Sequence, residues 1–302
     1  MQTYLDCFPC MVRQTLEAAR MADADGALQR HIMRQALDLL GQHSVGTVST
    51  PPEIAYQIHR MVRSQTGAED PYREAKQAST ERALALYPEL KEIVHQADDP
   101  LDAALRISIA GNIIDLGHSL AYDLKSTLGR VLAQPFALDR REALRAMASS
   151  ARRILYLADN AGETAFDRVL IETLAVPVTY AVKGGPVLND ATRSDALEAG
   201  IAPAAEIVET GSDAPGTILS QCSDDFRRRF EEADLIIAKG QANYETLSDR
   251  GARVFFLLQV KCSVIGEDIG APVGSIVVWQ GNSTGSGDTG NDGFELIPEE
   301  IS

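Results

Sequence analysis

The sequence predicts a helical amino-terminal part joined to a doubly wound, mostly parallel α/β sheet flanked by helices. Three observations carry this. Apolar residues recur with helical period before residue 149, in segments that open on capping signals. Beyond Arg152 short apolar runs alternate with helical patterns. The first of these runs, in RRILYLADNAGE from Arg152 to Glu163, stops abruptly at Asp159 and Asn160 before a new helix begins. That places a carboxylate and a carboxamide at the carboxyl end of a strand, the edge where open α/β sheets bind ligands.

In chain order, Asp6 ahead of Pro9 and Cys10 opens a helix with Val12, Leu16 and Ala19 on one face. A second carries Leu28, Ile32, Met33, Ala36, Leu39 and Leu40, with Gly41 placed to cap its end. Thr50, Pro51 and Glu53 make a capping box with proline at the first helical position, ahead of a buried face of Ile54, Ile58 and Val62. Asp70 before Pro71 and Asp99 before Pro100 repeat the device, and Pro88 is expected to break or kink the segment between them. The helix after Asp99 bears an apolar stripe, Leu101, Leu105, Ile109, Ile113 and Leu116, and a polar one, Ser108, Asn112 and Asp115, about 100° further round. The polar stripe reads equally as a solvated or core-satisfied face and as a cleft lining.

After Ile154 to Ala158, strands are expected at Val176 to Val182, Glu206 to Val208, Leu235 to Ala238, Val254 to Leu258 and Ile276 to Trp279. Helices are centred near Ala196, Phe226 and Thr246. The division is therefore a helical part over 1–149, an α/β part over 150–280 and a flexible Gly/Ser/Asp-rich tail over 281–302.

Composition narrows the function classes. The 302 residues, 45% hydrophobic and 24% charged, are those of a globular chain that buries a core. A net charge of -15 leaves no basic surplus for a nucleic-acid backbone, so no nucleic-acid partner is expected and a small anionic substrate would need local cations. The amino terminus lacks a signal-peptide pattern, no run approaches the ~18 apolar residues of a membrane span, and four cysteines make no disulfide framework. A cytoplasmic location without membrane association is expected.

Three polar clusters follow predicted strands: Asp159 with Asn160; Lys183 with Asn189 and Asp190 in VKGGPVLNDAT; and Lys239 with Asn243 in AKGQANYETL. Parallel strands bring such ends to one edge. Oxygen ligands from Asp159, Asn160 and Asp190 suit a hard divalent cation such as Mg²⁺ or Mn²⁺, with Co²⁺ and Ni²⁺ as further options, and the lysines supply positive charge for a phosphoryl group. Duller readings stand beside these. Asn160 with Glu163, and Asn189 or Asp190, could be helix caps, whereas Asp159 has no local structural task. Lys239 could snorkel from its strand end. The loop Thr210 to Thr217, TGSDAPGT, is either a turn or a substrate loop offering Ser212 and Asp213. Cys7 and Cys10 have the spacing of half a zinc site or a redox pair, but packed helix-start cysteines fit the pattern better. The five histidines share no ligand spacing. No Gly-x-Gly-x-x-Gly or Gly-x-Ser-x-Gly joins a predicted strand to a predicted helix, and no Walker loop is present, which weighs against dinucleotide, nucleotide-triphosphatase and serine-hydrolase chemistry.

Six motifs in order, CFPC, AGNIIDLG from Ala110, ADNAGE from Ala158, VKGGPVLNDAT, GSDAPGT from Gly211 and AKGQANYETL from Ala238, resemble the DUF89 family of damage-control phosphatases, and the CxPC opening resembles its prokaryotic subgroup. The resemblance implies a Rossmann-like carboxyl part and divalent-metal-dependent hydrolysis of phosphorylated metabolites, sugar phosphates or nucleotides. It puts the metal ligands on Asp159, Asn160 and Asp190 and a phosphate-holding lysine on Lys239. Asn112 and Asp115 fall in the family's segment near the site, and Lys183, Asn243, Ser212 and Asp213 fall in matching motifs. Candidates for base or nucleophile are Asp159, Asp115 and Asp213. Two other readings stay open: a methyltransferase using S-adenosylmethionine, opposed by the single Gly162 in the first strand-helix turn, and a non-catalytic metabolite-binding protein.

Overall fold

The computed structural model describes residues 1–43, 49–113 and 124–281. The expectations for Asp115 and for the tail lie outside the described residues. Helices α1 (Cys7–Met21), α2 (Gly26–Gln42) and α3 (Pro51–Thr66) share a cluster built on Met11, Ala19, Ile32, Leu40, Ile54, Ile58 and Val62. The capping box forms as expected, with Thr50 N–H donating to Glu53 Oε2 at 2.7 Å. Gly41 is not a cap, because α2 continues one residue beyond it. Helix α4 (Arg73–Gln96) runs unbroken through Pro88, which is exposed, so the carbonyl that loses its N–H partner there can be hydrated.

Helix α5 (Pro100–Ile113) starts on Asp99, whose Oδ1 accepts from Asp102 N–H at 3.1 Å, and α6 spans Leu124–Ala133. Then come β1 (Phe136–Asp139) and α7 (Arg141–Ser150), ahead of β2 (Ile154–Leu157), α8 (Thr164–Thr173), β3 (Val178–Val182), α9 (Arg193–Glu198) and β4 (Glu206–Glu209). The chain continues with α10 (Asp224–Glu232), β5 (Leu235–Lys239), α11 (Gly240–Leu247), β6 (Val254–Gln259), α12 (Ser263–Ile269) and β7 (Ile276–Gln280). Strand β1 precedes the expected boundary near residue 149 and belongs to the sheet, so the α/β unit begins earlier than the sequence pattern indicates.

The seven-stranded sheet has the order β1-β7-β6-β5-β2-β3-β4. Strands β6, β5, β2, β3 and β4 run parallel, β7 is antiparallel to β6, and β1 is parallel to β7. Alternating side chains serve two cores. Ile154 and Tyr156 join α5 and α8 on one face, and Leu155 and Leu157 join Phe226, Phe230, Tyr244 and Leu247 of α10 and α11 on the other. Register aligns Leu157 with Ala181 of β3 and Ala238 of β5, so the chain leaves all three strands at one level. From β2 the order proceeds outward through β3 and β4, then returns to β5 on the opposite side. The crevice between the ends of β2 and β5 is thus a topological switch point. Among the described residues no helix is long and apolar enough to cross a membrane.

Candidate active site

The chain beyond β2 runs beside the loop beyond β3. Ala161 N–H donates to Asn189 O at 2.8 Å and Ala191 N–H to Asp159 O at 2.8 Å, which makes Asn160 and Asp190 partners in an isolated antiparallel bridge. Asp159, Asn160 and Asp190 are thereby brought together, and all three are buried. Leu188, with φ of +47°, holds a left-handed conformation two residues before Asp190, a local strain of the kind found where a functional loop is over-determined by its surroundings. The Asp159 carboxylate rests against Gly240, whose φ is +76°, and a β-carbon on that glycine would overlap it.

Neither acidic loop is used for helix capping. Asn160 makes no side-chain cap; its Nδ2 donates to Glu163 Oε1 at 2.6 Å and to Asp159 Oδ2 at 3.3 Å. Helix α9 is capped by Thr192 with Asp195, downstream of Asn189 and Asp190. Two carboxylates and an amide at one strand edge have the donor chemistry that suits a hard cation. Among the described residues no group of three or more His, Cys, Asp or Glu side chains is placed to hold an ion.

Lys183 lies at the same edge. Its Nζ is 3.4 Å from Asp190 Oδ2 and also donates to Gly216 O. Gly184 packs directly on the backbone of Gly211 and Ser212, so the loop Thr210 to Thr217 lies against the Lys183 turn. Within that loop Ser212 Oγ accepts from Ala214 N–H at 3.2 Å, and Asp213 is ion-paired with Arg63 of α3.

Three residues expected to contact substrate are placed otherwise. Lys239 ends β5 wholly buried, and its Nζ donates to Ser108 O at 2.9 Å, Glu163 Oε2 at 2.9 Å and Asp167 Oδ1 at 2.6 Å. Three ammonium protons meet three protein acceptors, so Lys239 does not snorkel to water. Burial alone would lower its pKa, but the Asp167 and Glu163 carboxylates raise it above the ordinary lysine value. Asn112 is also wholly buried: Nδ2 donates to Asp159 Oδ2 and Glu163 Oε1, both at 2.8 Å, and Oδ1 accepts from Gln259 N–H at 3.4 Å. Ser108 and Asn112, the two described members of the polar stripe, therefore face the interior beside the site, with Ser108 Oγ donating to Asp167 Oδ1 at 3.0 Å. Asn243 ties strand ends together, donating to Ala158 O at 3.1 Å and Lys239 O at 2.8 Å while accepting from Thr217 Oγ1 at 2.7 Å.

Glu163 and Asp167, the carboxylates opposite Lys239, are the residues that sequence reasoning missed. Asp167 also accepts from Tyr156 at 2.7 Å and Tyr180 at 2.9 Å. Burial, and then the Asp167 charge, hold both phenols well above their ordinary pKa. The available signal was two acids four residues apart, Glu163 just before α8 and Asp167 in its first turn, ahead of and among the core residues Phe166, Val169 and Leu170. Cys7 and Cys10 lie in the first turn of α1 as free thiols.

Comparison with known proteins matches residues 3–277 to the family profile "Damage-control phosphatase ARMT1-like domain". A protein of Archaeoglobus fulgidus named damage-control phosphatase is 35% identical over 283 residues, covering 90% of this chain and 96% of its own. A Pyrococcus horikoshii protein of the same name is 32% identical over 283 residues, covering 92% and 97%. The crystal structure of a DUF89 family protein from Pyrococcus horikoshii superposes with a TM-score of 0.86 at 31% identity, covering 93% of this chain and 100% of that one.

Proposed function

Because this chain belongs to the damage-control phosphatase ARMT1-like family, we propose that it is a divalent-metal-dependent phosphatase of small phosphorylated metabolites, with Mg²⁺ or Mn²⁺ as the ion. The observation that supports the reading is the Asn160–Asp190 backbone bridge, which sets the residues Asp159, Asn160 and Asp190 side by side at the sheet's switch point. The donor set fits a hard ion, and the close approach of Gly240 leaves the Asp159 carboxylate its place.

Asp159, Asn160 and Asp190 would hold the ion. When bound, it supplies Lewis-acid polarisation of the phosphoryl oxygens and neutralises their charge. Lys183, next to Asp190, adds a cation for the phosphate in a protein that is otherwise strongly acidic. The Thr210 to Thr217 loop, packed on the Lys183 turn, borders the substrate, with Ser212 as a polar contact. Asp213, oriented by Arg63, and Asp159 are the described carboxylates available for proton transfer or attack.

The test is phosphate release across a panel of sugar phosphates, nucleotides and other phosphorylated metabolites with Mg²⁺, Mn²⁺, Co²⁺ or Ni²⁺, against a chelated control. Turnover that requires metal supports the proposal. Silence across the panel with every metal rejects it.

A further inference from the structure

We propose that Glu163 is a positioning residue that, clamped by Lys239, decides which atoms of Asn160 and Asp159 face the metal. This rests on the reading that Asp159, Asn160 and Asp190 hold the ion. Glu163 is 1% exposed and its two oxygens serve different partners. Oε2 accepts from Lys239 Nζ at 2.9 Å. Oε1 accepts from Asn160 Nδ2 at 2.6 Å and from Asn112 Nδ2 at 2.8 Å. The same two amide nitrogens reach Asp159 Oδ2, at 3.3 Å and 2.8 Å. Two amides therefore lace two carboxylates together.

The lacing has a directional consequence. With the nitrogen of Asn160 committed to Glu163 and Asp159, its carbonyl oxygen is the end left for a cation, and an amide turned the other way would present two N–H groups that no cation accepts. With Oδ2 of Asp159 gripped by both amides, the rotation of that carboxylate is fixed as well. Lys239 keeps the assembly in place by donating to Glu163 Oε2, while Ser108 O and Asp167 anchor the lysine from behind and Tyr156 and Tyr180 hold Asp167.

Glu163→Gln separates this role from shape. Every neighbour of the two oxygens is a donor, and glutamine offers one acceptor and one N–H₂ group. Either its N–H₂ faces the ammonium, or it faces Asn160 and Asn112 and turns their carbonyl oxygens inward. The measurement is Mn²⁺ binding by titration with electron paramagnetic resonance, on wild type, Glu163→Gln and Asp159→Ala, with thermal unfolding of each metal-free protein. The expected result is Mn²⁺ affinity lowered roughly 10- to 100-fold in Glu163→Gln, the range typical of outer partners of metal ligands, in a protein that remains folded. Glu163→Asp keeps the charge but withdraws the carboxylate by one methylene. It is judged by the same criterion and replaces the glutamine variant should that one not fold. Wild-type affinity in the folded Glu163 variant, with binding lost in Asp159→Ala, overturns the positioning role and leaves the metal site standing. Wild-type affinity in Asp159→Ala as well overturns both.

Discussion

Replacing Gly240 by alanine probes the switch point with a single methyl group. Two effects add. The φ of +76° is left-handed, which disfavours a residue with a β-carbon by roughly 1–2 kcal/mol. The new methyl also overlaps the Asp159 carboxylate, which must shift away from Asn112 and Asn160. Losing one such hydrogen bond to a charged acceptor costs about 1.5–3 kcal/mol, so the sum is roughly 3–5 kcal/mol. Thermal unfolding of the metal-free protein should shift down on the order of 10 °C. Mn²⁺ affinity and phosphate release should fall much further than this stability loss explains if, as proposed, the displaced group is a ligand. Gly270→Ala supplies the control. That glycine also has positive φ, at +75°, but open space around its β-position, so only the backbone penalty applies and turnover should be kept. Equal metal affinity and turnover in the two variants would refute the reasoning.

Three further outcomes follow from buried groups. Lys239→Met leaves Glu163 and Asp167 buried without their cation and should cost about 3–5 kcal/mol in urea unfolding; a loss below about 1 kcal/mol would show the ion cluster to be dispensable. Burial, and then the Arg63 charge, hold His59 at about 4 instead of 6.5, so below pH 6.5 the unfolded chain takes up a proton that the folded chain refuses. Its contribution is complete above pH 6.5 and is lost as pH falls towards 4, about 3 kcal/mol in all, and His59→Leu should flatten that part of the stability profile; an unchanged profile contradicts it. Lys76→Met strips a buried cation from Asp70 and Asp195, at 2.9 Å and 3.0 Å, and should destabilise by roughly 3 kcal/mol with Mn²⁺ affinity intact; loss of metal binding there would place Lys76 in the site after all.

Much of this architecture is written in local pattern. Four of the five parallel strands are short, mostly apolar runs bounded by turn residues, β4 being EIVE at the sheet edge, and the Thr50 to Glu53 box marks the start of α3 because its chemistry is contained in four residues. Strand β1 escapes because FALD is brief, alternates between half-buried and exposed, and sits at the sheet edge. Its pairing with β7 depends on residues far along the chain, which no local window contains.

The site divides in the same way. Asp159 stands out since an apolar strand ends on it, and its approach to Asp190 follows from parallel topology. Lys239 and Asn112 are harder. A lysine after an apolar strand looks bound for water, and only the fold shows that α5, α8 and the turn leading into α8 bring three acceptors to its ammonium. Glu163 was hidden by its spacing from Asn160, which is that of a capping box, although the two side chains bond each other directly.

The central claim, that Asp159, Asn160 and Asp190 grip one divalent ion, is tested most directly by counting Mn²⁺ ions bound per chain at equilibrium in wild type, Asp159→Ala and Asp190→Ala. The account predicts one ion in wild type, with binding abolished in both variants while their circular dichroism is unchanged. An undiminished ion in either folded variant would contradict it.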